Sequence, residues 1–345
     1  MDIQLYLTPF LKAFVITIVL SIVLTWCSKK IACRGREDSR HIHLKKISRL
    51  GGVAIIVAFL ISILTDANLV ISQPLWGIMI ASFFILLVGL WDDFSELDWK
   101  YQFFYQVAIV ILIFITGTQV EYITNPFGGY IFLDLGQYLL PSLLFVIVWV
   151  VLMMNSMNWL DGIDGLSGGA AFVGAITIFL LSMKPEVNQP PVGIISMALA
   201  GAVLAFLIFN FHPARILAGT TGSMFMGFIL AVLAIFAGIK IATALLVMAI
   251  PIADTLWVVW ERFRSGDAVH EPDERHLHYK LMKLGWSQKK IALFFYVITI
   301  LIAIVALNTR AMGKSITIIL VVAIMIGVIL VVNKKIAAKE QKLSK

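Results

Sequence analysis

Charged side chains are scarce: Asp, Glu, Lys and Arg make up only 14% of the 345 residues, while 60% are hydrophobic. A soluble domain carries roughly 25% charged residues, and a chain of this length needs a polar skin around its cores. A soluble fold is therefore excluded, and disorder with it, because the chain is anything but polar. Cysteine is equally sparse. Cys27 and Cys33 form neither a zinc nor a redox spacing, and two thiols make no disulfide framework. The weak alternation of a membrane β-barrel is missing, as are low-complexity tracts and long linkers. Without a visible internal repeat, a transporter built from inverted halves has no support. The first residues carry Asp2 but no basic cluster, and no small-residue cleavage site follows, so the N-terminal run is not expected to be a cleavable signal.

What the sequence does have is apolar runs of bilayer length. Eleven are read, at about 8–27, 51–66, 74–91, 102–118, 137–155, 164–183, 191–210, 221–238, 240–260, 288–307 and 313–333. The expected fold is all-α: one integral membrane domain over 1–345 with about eleven transmembrane helices. With the N-terminus outside, the inner segments 28–50, 92–101, 156–163, 211–220, 261–290 and 334–345 hold 22 of the 27 Lys and Arg residues. That asymmetry predicts an N-out, C-in topology. The net charge of +7 is then a topology signal, and no nucleic-acid partner is expected.

Residues with chemical capacity gather on the predicted cytoplasmic loops. Gly89-Leu-Trp-Asp92-Asp93 puts two carboxylates at a helix C-terminus, where they oppose the macrodipole. Asn155-Ser-Met-Asn158-Trp-Leu-Asp161-Gly-Ile-Asp164-Gly spaces Asn158, Asp161 and Asp164 three apart, on neighbouring positions of one helical surface. Asn210-Phe-His212-Pro-Ala-Arg215 leads to Gly219-Thr220-Thr-Gly-Ser223, a turn that can cap a helix or cradle phosphate. Asp254, in Pro251-Ile-Ala-Asp254-Thr, lies inside a span, where a carboxyl is either functional or paired; Pro251 is expected to kink the helix there. Asp273-Glu-Arg275-His276-Leu-His278 reads as an anion grip or a solvated basic loop. Arg40-His-Ile-His43 through Lys45, Lys46 and Arg49 to Gly51-Gly52 reads as a topology signal or a grip on an acidic headgroup or nucleotide. Carboxylates and cations on one membrane face suit a phosphate-rich substrate bridged by a divalent ion. Mg²⁺ fits, because it takes few carboxylates and shares its shell with phosphate oxygens; Mn²⁺ is the alternative.

Six motifs in chain order, Arg-x-x-His (40–43), Arg-Leu-Gly-Gly (49–52), Gly-Leu-Trp-Asp-Asp (89–93), Asn-Ser-Met-Asn-Trp-Leu-Asp-Gly-Ile-Asp-Gly-Leu (155–166), Pro-Ile-Ala-Asp-Thr (251–255) and His-Leu-His (276–278), resemble the polyprenyl-phosphate N-acetylhexosamine-1-phosphate transferases. Phospho-N-acetylmuramoyl-pentapeptide transferase is a relative of that family. The motif resemblance covers about 40–290, and the span count extends it to the whole chain. It implies a multi-pass enzyme with a cytoplasmic active site that transfers N-acetylhexosamine 1-phosphate, here GlcNAc-1-phosphate, from UDP-sugar to undecaprenyl or another polyprenyl phosphate. UMP is released and a lipid-linked cell-envelope glycan is initiated. The resemblance implies that Asp92 and Asp93 act on the lipid phosphate, and that Asp161, Asp164 and Asn210 line the nucleotide and metal pocket. Asn158, Asp161 and Thr220 would hold Mg²⁺. Arg49, Arg215, Asp254, Arg275, His276 and His278 would bind substrate. A homodimer is compatible with this reading. The chain departs from the family at Thr220, where a metal-binding Asp is usual, and also at Tyr279 and Ser48. Two rivals follow: a catalytically impaired relative that binds lipid phosphate or nucleotide, and, more distantly, a cation-coupled transporter.

Overall fold

Every predicted apolar run is helical in the computed structural model, which describes residues 3–30, 47–125, 127–134, 136, 138–237, 241–268 and 274–343. The helices are α1 (Gln4–Lys30), α2 (Gly51–Leu64), α3 (Gln73–Ser95), α4 (Trp99–Ile115), α5 (Leu140–Leu160), α6 (Leu166–Ser182), α7 (Pro190–Asn210), α8 (Gly219–Phe236), α9 (Ile241–Val247), α10 (Ala249–Ser265), α11 (Leu277–Lys283), α12 (Gln288–Asn308) and α13 (Ala311–Leu343). Seven of them are long and apolar enough to cross a membrane, and the bent pair α9–α10 would make an eighth. The expectation of eleven full spans is thereby reduced, because α2, α4 and α6 reach only 14, 17 and 17 residues. Against a core that takes about 20 residues to cross, these three are short. The chain is a multi-pass membrane protein, nearly all helix. The exception is a ribbon of β1 (Tyr122–Thr124) and β2 (Tyr130–Phe132), antiparallel with Ile123 opposite Ile131, in the loop between α4 and α5.

Helix α8 is the centre of the bundle. Its apolar window is 83% buried, against 22% for α1 and 17% for α13, so those two lie at the periphery. It packs on α2, α3, α5 and α6. The contacts depend on small residues, as expected where lipid supplies no hydrophobic drive between helices and close backbone approach must do so. A Cβ on Gly52 would sit 2.3 Å from the Gly222 nitrogen, and one on Gly89 would sit 2.6 Å from Thr221 Cα. On the far side, a Cβ on Gly227 would sit 2.5 Å from the Met153 carbonyl oxygen.

Two further features position the functional loops. Residues 48–52 run alongside 216–218: Leu217 N–H donates to the Ser48 carbonyl at 2.8 Å, and Gly51 and Gly52 N–H donate to Leu217 and Ala218 at 2.9 and 3.0 Å. This satisfies amides that the start of α2 would otherwise leave orphaned. The predicted kink also moves. The chain turns by 76° between α9 and α10, at Met248 rather than at Pro251. Pro251 sits in the first turn of α10, where its missing N–H costs nothing, and its ring excludes the carbonyl four residues back, at Val247, the last residue of α9. Arg40, His43, Lys45, Lys46, Cys33 and Asp273 lie outside the described residues.

Candidate active site

The start of α8 is built around a carboxylate from another helix. Asp93, near the end of α3, accepts the Thr220 N–H at 2.8 Å, the Thr221 N–H at 3.2 Å and the Thr221 hydroxyl at 2.7 Å. The α8 amides that could have cradled a phosphate thus hold Asp93. Gly219 makes the approach possible: its φ is +68°, and a Cβ there would lie 2.5 Å from Asp93 Oδ2. Asp92 turns the other way. Its Oδ1 accepts the Leu97 N–H at 2.9 Å and the Gln102 side-chain amide at 2.8 Å, closing the α3–α4 turn.

Each polar residue of the next loop is held by a different element. Asn158, in the last turn of α5, accepts the Ser223 hydroxyl at 2.8 Å, and that hydroxyl also reaches the Gly219 carbonyl at 2.9 Å. Asp161 caps the C-terminal end of α5 and accepts the Ser167 hydroxyl. Burial pushes its carboxyl up to about 7, with Ser167 and Arg49 opposing and the charges of Asp93 and Asp164 adding. Asp164 is buried and holds the loop after α7: its Oδ2 meets His212 Nδ1 at 2.8 Å and accepts the Ala214 N–H at 3.0 Å. Asn210 is a buried clamp, accepting the Gly165 N–H at 3.0 Å and donating to the Ile216 carbonyl at 2.9 Å. Helix α12 closes the far side, where Gln288 accepts the Asp164 N–H at 3.1 Å and the Tyr296 hydroxyl donates to the Gly165 carbonyl.

The His-x-His segment folds over the same loop. His276 lies 5.6 Å from the Trp159 ring and stacks on His278 at 5.7 Å. Asp254 reaches out of α10 to meet His276 Nδ1 at 2.8 Å and to accept the Leu277 N–H at 2.9 Å. Of the two roles open to Asp254, the structure displays the paired one. His278 is fully buried, and neither ring nitrogen has a hydrogen-bond partner. Burial, aided by His276, pushes its pKa down to about 3, so the ring is neutral. It abuts Gly162, where an added Cβ would meet His278 Nε2 at 2.3 Å.

The expected residues therefore form one network from Arg49 to His278, with three exceptions: Asp92, which closes the α3–α4 turn, Arg215 and Arg275. Arg215 is exposed, and it contributes a backbone N–H to the Phe209 carbonyl at 2.7 Å. Arg275 is turned to Asp267, an acid of its own loop. Several contributors were not anticipated. Arg262 is buried in α10, with its guanidinium 5.5 Å from the Trp159 ring centre. In the sequence it passes for one more cation flanking a span. Gln288 and Tyr296 give no local signal, because only the return of α12 brings them to the loop. Beneath Asn158, Asn155 donates to Gln106 of α4 at 2.7 Å.

A divalent ion is compatible with this donor set. Among the described residues no three His, Cys, Asp or Glu side chains converge into a cage. A Mg²⁺ ion does not need one, since it is held by one or two carboxylates with substrate phosphates and water completing the octahedron. Burial and the charges of Asp93 and Asp164 disfavour the ionised form of Asp161, so positive charge added there would stabilise its carboxylate.

Comparison with known proteins agrees with this chemistry. Residues 75–238 match glycosyl transferase family 4. The decaprenyl-phosphate N-acetylglucosaminephosphotransferase of Mycolicibacterium smegmatis is 30% identical over 300 residues, covering 78% of this chain and 73% of that one. The probable undecaprenyl-phosphate N-acetylglucosaminyl 1-phosphate transferase of Bacillus subtilis is 27% identical over 92% of this chain and 90% of its own length. The phospho-N-acetylmuramoyl-pentapeptide-transferase of Oceanobacillus iheyensis is 27% identical over 88% and 97%. The chain belongs to glycosyl transferase family 4, the membrane enzymes that pass a sugar 1-phosphate to a polyprenyl phosphate.

Proposed function

We propose that this chain transfers N-acetylglucosamine 1-phosphate from UDP-GlcNAc to a polyprenyl phosphate such as undecaprenyl phosphate, releasing UMP, on the cytoplasmic face of the plasma membrane. The observation that carries the reading is the 158–165 loop. Asn158, Asp161 and Asp164 are each fixed by a different neighbouring segment, and His276 closes over the same loop. In the reaction, an oxygen of the lipid phosphate forms a bond to the β-phosphorus of the UDP-sugar. The bond from that phosphorus to the bridging oxygen breaks, and its electron pair leaves with UMP. Asp161 and Asn158, with the Thr220 hydroxyl, are the residues that would hold Mg²⁺, and the ion supplies charge neutralisation on the diphosphate. The protein's own part is positioning. Arg49 sets positive charge against Asp161, and the clamps at Asn210, Gln288 and Tyr296 keep the loop in one conformation. The GlcNAc assignment follows the names of the Bacillus and Mycolicibacterium relatives.

The test is UMP release by purified protein with UDP-GlcNAc, undecaprenyl phosphate and a Mg²⁺ titration, run for wild type beside Thr220→Asp. Turnover that needs both substrates supports the reading. Thr220 favours a second reading, an impaired relative that binds without turning over, because a hydroxyl brings no charge to the metal. A silent wild type with an active Thr220→Asp would establish that reading instead.

A further inference from the structure

Asp254 has no evident free role at the substrate. One oxygen accepts the Leu277 N–H and the other meets His276 Nδ1, and both side chains are 6% exposed. We infer that Asp254 is a positioning residue: it fixes the His276 ring with Nδ1–H toward α10, so that Nε2 is the edge presented to the substrate diphosphate. The inference rests on the transferase reading for its ligand, but on geometry alone for the arrangement.

Three contacts leave the ring one orientation. Nδ1 lies on the carboxylate, one face stacks at 11° on His278, and Trp159 packs against the ring. Asp254 occupies Nδ1, and an imidazole held through Nδ1 points Nε2 the opposite way. His278 does not compete for the carboxylate, since neither of its nitrogens has a partner. Trp159, which the ring touches, is the residue after Asn158 and also carries the Arg262 guanidinium. Nε2 is therefore delivered beside the 158–165 loop. Asp254 also caps α11 through Leu277, so a single buried carboxylate sets both the backbone of the His-x-His segment and the tautomer of its first ring. A carboxylate behind a histidine acts in this way elsewhere: it selects the tautomer and stabilises the imidazolium without itself touching substrate.

The decisive variant is Asp254→Asn. Its amide oxygen can still accept from Leu277, so the cap survives, while its NH₂ group turns a donor toward Nδ1 and forces the proton to Nε2. The measurement is ¹⁵N spectroscopy of histidine-labelled protein in nanodiscs, with His276 assigned by difference from His276→Gln. Wild type should show a protonated Nδ1, and Asp254→Asn should move the proton to Nε2. In the UMP assay, Asp254→Asn should lower kcat about 10- to 100-fold, the range in which carboxylate partners of functional histidines act. KM for the UDP-sugar should stay close to wild type, and the same substitution should cost nothing further in a His276→Gln background. An unchanged His276 signature in Asp254→Asn, or an equal loss in the His276→Gln background, overturns the inference. A wild type without turnover but with the tautomer shift supports the positioning role and sinks the transferase reading, so the two failures are told apart.

Discussion

Removing Asp93 should loosen the start of the central helix before it affects any chemistry. Three hydrogen bonds, at 2.8, 3.2 and 2.7 Å, run from Thr220 and Thr221 to this carboxylate. Loss of a helix N-cap costs about 0.5–2 kcal/mol, and stranding a buried donor costs about 1–3 kcal/mol. The effects overlap, so Asp93→Ala should lose about 2–4 kcal/mol in total. Asp93→Asn keeps one acceptor oxygen but points its amide NH₂, a donor, at an N–H, and should fall about halfway. Thr221→Val removes the hydroxyl bond alone, at about 1 kcal/mol, and should cost almost nothing more once Asp93 is gone. Thermal unfolding in detergent, followed by tryptophan fluorescence, reads the sum; a chain of this size should shift by about 2 °C per kcal/mol. Hydrogen exchange gives the location, because the Thr220 and Thr221 amides should exchange faster in Asp93→Asn while the middle of α8 stays protected. If those two amides keep wild-type exchange while UMP release disappears, Asp93 is a reacting group and the capping argument fails.

Other expectations follow from the same geometry. Asp161 holds its proton in the folded state up to about 7, against 3.8 for an ordinary aspartate. The folded protein therefore binds more protons than the unfolded one between these values, and stability should fall as pH rises through that window; Asp161→Asn should flatten the pH dependence of Tm there. Gly162→Ala places a methyl 2.3 Å from His278 Nε2 and 2.6 Å from the Tyr279 hydroxyl, so it should destabilise by about 1–3 kcal/mol through overpacking, read as a lower Tm. Thr220→Asp should lower the Mg²⁺ concentration needed for half-maximal UMP release by at least about tenfold, the effect of roughly 1.4 kcal/mol gained from a carboxylate in place of a hydroxyl. Tyr296→Phe leaves the Gly165 carbonyl without its donor, at a cost of about 1 kcal/mol, and should lower kcat/KM several-fold with little change in Tm.

Much of this protein was legible because its signals are local. A bilayer-length apolar run is complete in about 20 residues, and each of the eleven runs became helix. The Asp-Gly-Ile-Asp-Gly loop could be read for the same reason, since all its chemistry lies within a dozen consecutive positions. What the sequence did not show was which partner each polar group would choose. Asp92 and Asp93 are adjacent and look like one reagent, yet a helix turns successive side chains about 100° apart. One carboxylate therefore closes the α3–α4 turn and the other caps α8, 127 residues away. In the sequence Thr220 reads as a side-chain metal ligand, while its visible contribution is its backbone N–H to Asp93, which any residue but proline offers. The same distinction separates Arg262 from the cations around it. On a helix that leaves the membrane, a buried arginine and a topology-setting arginine have identical local sequence, and only the packing of Trp159 from α5 tells them apart. Three helices are shorter than their apolar runs for a related reason. Hydropathy runs on past the helix ends at 64, 115 and 182 into residues that cap or turn. Apolar composition marks where chain can be buried, whereas helix length is set by where backbone donors and acceptors find other partners.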